Sequence, residues 1–148
     1  MNYQVRLINF GNIANASMTI KAGDIFSFTA RDGSFGMVKI LRVDTLDDLP
    51  TPEPIVHLLV YSLRNIFPPN AAYLAHATPF IAHLPLMQSG VAQSGCMFIG
   101  YQEVSETELE AYWIWREAFF AGEAGVFDLT IDDAIAAILE ALGKRPAS

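Results

Sequence analysis

Apolar residues alternate or run continuously through the first hundred positions and recur at helical spacing only in the last third. This single change of period limits the fold more than any other feature of the chain. Ile25-Phe26-Ser27-Phe28-Thr29-Ala30 and Met37-Val38-Lys39-Ile40-Leu41-Arg42-Val43 are strand-like and flank Asp32-Gly33. Asp-Gly between two β-rich runs predicts a hairpin, because glycine accepts the positive φ of a tight turn. Phe26, Phe28 and Ala30 then share a face. Residues 44–54 read as an acidic loop with prolines at 50, 52 and 54, and Ile55 to Tyr61 as a short, nearly continuous apolar strand. In residues 63–95 the prolines at 68, 69, 79 and 85 leave irregular connections with one short strand over 77–83, and Cys96 to Tyr101 reads as another strand.

Ser105-Glu106-Thr107-Glu108 fits a capping box and predicts a helix from Glu106 to Ala121, stopped by Gly122 and Gly125. At roughly 100° per residue, Leu109, Tyr112, Trp113, Phe119 and Phe120 fall on one broad face, with Glu106, Glu110 and Glu117 on its flank. Ile114 and Trp115 fall off that face. Thr130 with Asp133 opens a second helix over 131–142, whose apolar stripe is Ile131, Ile135, Ile138 and Leu142, and Gly143 closes it. Strands first and helices last, without β-α-β alternation, predict an α+β fold: an N-terminal antiparallel sheet, open or curled into a barrel, followed by two amphipathic helices.

At 148 residues with 52% apolar side chains, the chain reads as one domain that needs neither metal nor disulfide to fold. Its strand-rich part is 1–102 and its acidic helical part 103–148. Acids and bases cancel over 1–102, six against six, whereas 103–148 holds ten acids against three bases and so carries the whole net charge of −7. No Lys or Arg lies between Arg64 and Arg116, which argues against a phosphate-tracking groove and hence against a nucleic-acid ligand. A negative lobe favours basic partners and disfavours anionic membranes. No apolar run is long enough to span a bilayer, the first residues lack a signal-peptide pattern, and the single Cys96 fits a reducing compartment, so a cytoplasmic protein is expected.

Candidate chemistry is sparse. His57, His76 and His83 match no compact ligand spacing, so neither a metal nor another cofactor is expected, and His57 in its apolar strand reads as a core residue bonded to a neighbour. Ser94-Gly95-Cys96 lacks the flanks of a nucleophile elbow, and Cys96 reads as a small inert hydrophobe. Arg116 lies near the apolar face of its helix, where it needs acceptors or an aromatic neighbour. Two readings stay open. In one, Glu106, Glu110, Ile114 and Glu117 form a protein-docking surface. In the other, Tyr61, Tyr112, Trp113 and Arg116 line a pocket between sheet and helices, as in a small enzyme or small-molecule binder.

Gly23-Asp24-Ile25-Phe26, followed by Asp32-Gly33, Gly36 and Val38-Lys39-Ile40-Leu41-Arg42-Val43, resembles the opening of a family of bacterial polymorphic-toxin immunity proteins, which begins with a Gly-Asp-x-Phe strand and a glycine-containing hairpin. The resemblance spans residues 23–43. It implies a non-catalytic cytoplasmic protein that binds and neutralises a cognate toxin, with no catalytic residue to carry over. The acidic C-terminal third suits a toxin with a basic surface, and a homo-oligomer is compatible with the same sequence.

Overall fold

The computed structural model describes residues 3–8 and 15–143, with side chains from Ile20 onward. In chain order the elements are β1 (Tyr3–Ile8), β2 (Asn15–Ile20), β3 (Asp24–Thr29), β4 (Phe35–Asp44), β5 (Ile55–Asn65), a 3-10 turn (Ala71–His76), β6 (Pro79–Met87), α1 (Gln88–Ala92), β7 (Met97–Tyr101), α2 (Glu106–Phe120) and α3 (Ile131–Gly143). β1 and β2 form an antiparallel ribbon, and the other five strands form one antiparallel sheet in the order β6-β5-β4-β3-β7. The fold is α+β, as expected.

Alternation along the strands builds two cores, one on each side of the sheet. Phe26, Phe28, Val38, Ile40, Val56, Leu58, Val60, Leu84 and Leu86 pack with Ile131, Ala134 and Ile135 of α3. From the opposite face, Ile25, Met37, Leu41, Leu59 and Tyr61 pack with Leu109 of α2, and Ile55 packs with its Tyr112 and Trp115. Strands covered on both faces need no polar alternation, which is why Ile55–Tyr61 is buried at every position. The same arrangement corrects the expectation of a barrel: each face already holds its own core, so the sheet stays open, with β6 and β7 as its edges.

The Asp32-Gly33 turn forms as read, with Gly33 at φ +86° and the Asp32 carboxylate accepting from the Ser34 backbone N–H at 2.9 Å. Gly36 lies directly against the ring of Phe28, its partner across the hairpin, where a Cβ has no room. Residues 63–95 are more regular than their prolines suggest. β5 runs on to Asn65, the side chain of Asn70 caps the 3-10 turn by accepting from Ala72, and β6 tolerates Pro79 at its start and Pro85 inside it because it is an edge strand. On that edge Phe127 donates to the Pro85 carbonyl and accepts from the Met87 N–H.

Both helix starts are capped as the sequence indicates: Ser105 and Glu108 complete the box of α2, and Asp133 N–H donates to Thr130 Oγ1 at 3.2 Å in α3. The buried face of α2 differs from the expected one. Tyr112 and Trp115 are buried, whereas Trp113 and Phe120 are 49% and 58% exposed. Because α2 is apolar nearly all round, wheel arithmetic does not decide which side meets the sheet.

Candidate functional site

A β-bulge builds the most polar part of the interior. The register of β4 against β5 slips between Ile40 and Arg42, so Arg42 and Asp44 turn to the α2 side instead of joining Val38 and Ile40 on the α3 side. There Asp44, fully buried, accepts from Arg42 Nε at 2.9 Å, His57 Nε2 at 2.8 Å and the Tyr112 hydroxyl at 2.7 Å. Arg116 Nη1 donates to the Tyr112 oxygen at 2.9 Å and stands 3.7 Å from Asp44 Oδ1. His57 Nδ1 lies 2.8 Å from His83 Nε2, and Trp115 packs edge-on against His57.

The carboxylate fixes the tautomers. Asp44 only accepts, so His57 carries its proton on Nε2, its Nδ1 accepts, and His83 Nε2–H donates. Burial works against the Asp44 charge, but hydrogen bonds from His57, Arg42 and Tyr112 hold its carboxyl well below the usual range. Burial also lowers His57, and burial together with the neighbouring His57 brings His83 down to about 3. Burial, reinforced by the Asp44 hydrogen bond, pushes Tyr112 up to about 12. The cluster therefore holds one carboxylate between two guanidiniums, beside two neutral imidazoles.

Every buried side-chain polar atom among the described residues has a hydrogen-bond partner. The buried heart of the cluster is thus fully hydrogen-bonded, while the Arg42 and Arg116 guanidiniums reach its partly exposed rim. Cys96 packs on the α3 side of the sheet, where burial pushes its thiol up to about 12, so it supplies no nucleophile to the histidines. His76 is exposed on the 3-10 turn, and among the described residues no group of three or more His, Cys, Asp or Glu could hold a metal ion. A second polar anchor lies near the start of α2. The buried Lys39 amine donates to both Glu108 oxygens, at 2.9 and 3.2 Å, and to the Glu103 carbonyl at 2.9 Å. Together these contacts clamp α2 to the sheet.

The docking residues of the sequence reading come together on the outside of α2. Glu106, Glu110, Trp113, Ile114, Glu117 and Phe120 are all exposed and recur at three- and four-residue steps, so they form one stripe opposite Tyr112 and Trp115. None of the three glutamates forms an ion pair among the described residues. Trp113, Ile114, Arg116, Glu117 and Phe120 line a shallow cleft of about 590 Å³. The pocket residues of the alternative reading are dispersed: Tyr61 lines a different hollow with Phe80, Ile135 and Leu139, Tyr112 is sealed in the polar cluster, and Trp113 and Arg116 line the outer cleft.

The sequence singles out neither Asp44 nor Lys39, and it marks His83 only as one of three histidines without a metal-ligand spacing. Val38-Lys39-Ile40 carried a usable signal, since a lysine inside an apolar strand needs a partner. Nothing local marked Asp44, because its environment depends on the bulge. No helix among the described residues is long and apolar enough to cross a membrane. No protein-family model, curated protein or solved structure matches the chain, so its own residues carry the functional reading.

Proposed function

We propose that this chain is a non-catalytic interaction protein, an immunity protein that neutralises a cognate bacterial toxin in the cytoplasm by binding a basic surface of it through the outward stripe of α2. The observation that carries the reading is that stripe. Three exposed carboxylates without an ion-pair partner among the described residues alternate with Trp113, Ile114 and Phe120, three large apolar side chains that a soluble surface otherwise tends to cover. The hairpin resemblance over residues 23–43 and the confinement of the net charge to residues 103–148 support it. A second copy is the poorer occupant, since it would bring two stripes of the same negative sign face to face.

The test is the association rate with the toxin encoded beside this gene, measured by surface plasmon resonance at about 50 and 300 mM salt, where screening lengths differ more than twofold. Replacing Glu106, Glu110 and Glu117 together by lysine slows association tenfold or more at the lower salt and flattens its salt dependence. Unchanged rates in the triple variant would reduce the stripe to an ordinary solvated face. Absence of wild-type binding would overturn the immunity reading.

A further inference from the structure

The geometry points to the outer cleft of α2 as a socket for an arginine side chain of the partner, with Trp113 and Phe120 as its walls and Glu117 as its counter-charge. This assignment rests on the reading of the stripe as a docking surface and adds the group that enters it. The chain already uses these rings for the same purpose. The guanidinium of Arg42 stacks 5.6 Å from the centroid of Trp113, and that of Arg116 5.3 Å from the centroid of Phe120. Both rings are nonetheless about half exposed, so each keeps surface free for a second cation.

Helical spacing places Glu117 four residues after Trp113 and three before Phe120, on the same side of the helix. Arg116 also lines the cleft, but its charge is engaged by the Tyr112 hydroxyl and by Asp44 at 3.7 Å. Arg116 shares Asp44 with Arg42, whereas Glu117, and Glu110 two turns back, form no ion pair among the described residues, so Glu117 is the cleft's free carboxylate. A guanidinium suits such a site better than an ammonium. Its plane stacks on a ring while its edge donates two parallel hydrogen bonds to a carboxylate, and it is the more weakly hydrated of the two.

The probes are N-acetyl-arginine methylamide, the lysine analogue and the neutral citrulline isostere, titrated against the isotope-labelled full chain by NMR. The Trp113 indole N–H is the reporter, and the Trp115 indole, which donates to the Gly125 carbonyl at 2.9 Å, is the internal control. The expected result is a saturable shift at Trp113 but not at Trp115, with arginine tighter than lysine and citrulline at least tenfold weaker than arginine. Glu117→Gln, at an exposed position that leaves the fold intact, weakens the arginine probe at least fivefold. No saturable shift at Trp113, equal binding of lysine or citrulline, or an unaffected Glu117→Gln variant would each overturn the socket. The titration needs no toxin, so its failure leaves the immunity reading standing. Binding of the arginine probe without toxin association would remove the immunity reading and keep the socket.

Discussion

Acidification from pH 7 to pH 5 removes stability from this fold through the paired imidazoles. In the unfolded chain both histidines titrate near the ordinary value of about 6.5. In the fold burial brings His83 down to about 3, with the neighbouring His57 adding to the effect, and burial lowers His57 as well, helped by Arg42 and Arg116, although Asp44 opposes both shifts. The unfolded state therefore binds more protons over this interval, and stability falls as pH falls below about 6.5, until His83 itself titrates in the fold. Integrated from pH 7 to 5, a shift of this size contributes about 2 kcal/mol from His83, and His57 adds to it with the same sign. Two effects run the other way: repulsion within the −7 chain relaxes in acid, and the raised Asp24 carboxyl favours the folded state as it protonates. His83→Gln isolates the histidine, since the amide still donates to His57 Nδ1 and does not titrate. Urea unfolding at pH 7, 6 and 5 gives the variant a smaller acid loss than the wild type by about 2 kcal/mol, equivalent to roughly 4–8 °C in Tm. Curves that stay parallel within about 0.5 kcal/mol would refute the reasoning.

Two substitutions test the geometry beneath the site. Asp44→Asn keeps the side-chain shape but leaves Arg42 and Arg116 without their anion, and urea unfolding at pH 7 registers a loss of about 3–5 kcal/mol, with a loss under about 1 kcal/mol refuting the clamp. Gly36→Ala drives a methyl into the ring of Phe28 and costs about 1–3 kcal/mol by thermal unfolding, whereas an unchanged Tm would mean that the ring yields freely.

Local chemistry made much of the fold legible. A turn that needs a positive φ, a capping box on α2, a threonine cap on α3 and a nearly continuous apolar run are each decided within a few residues, and the structure has all of them where the sequence places them. The positions of the outward glutamates followed equally from helical spacing. What stayed illegible depends on partners distant in the chain. Asp44 meets Tyr112 across 68 residues, and only a register slip in β4 turns it toward that helix. His57 was recognisable as a bonded core residue, but His83 follows a proline-broken stretch whose strand becomes stable only beside β5. The buried side of α2 was misjudged because Tyr112, Trp113, Ile114 and Trp115 are consecutive and apolar, and residues 1–2, 9–14 and 144–148 lie outside the described structure.

That ambiguity in α2 has an energetic meaning. Turning the helix by one position would exchange Tyr112, Trp115 and the partly buried Phe119 for Trp113, Arg116 and Phe120, which keeps two large rings inside but trades an indole for a guanidinium. Aromatic burial alone therefore does not fix the setting of the helix. Directional bonds do, and they are few: Tyr112 to Asp44, Lys39 to Glu108, and Trp115 to the Gly125 carbonyl. Tyr112→Phe keeps the ring and its packing but deletes the donor to Asp44 and the acceptor of Arg116, a loss of about 1–3 kcal/mol by urea unfolding. If the hydroxyl also sets the rotation, the variant exposes Trp115 and shelters Trp113 for part of the time. Each indole is read alone in Trp113→Phe and Trp115→Phe backgrounds by acrylamide quenching. In the wild-type setting Trp113, at 49% exposure, quenches far more readily than Trp115 at 8%, and Tyr112→Phe narrows that gap. A destabilised variant whose two indoles keep their original contrast would refute the rotational role, leaving the hydroxyl a stabilising contact and assigning the presentation of the docking stripe to Lys39 and Gly125.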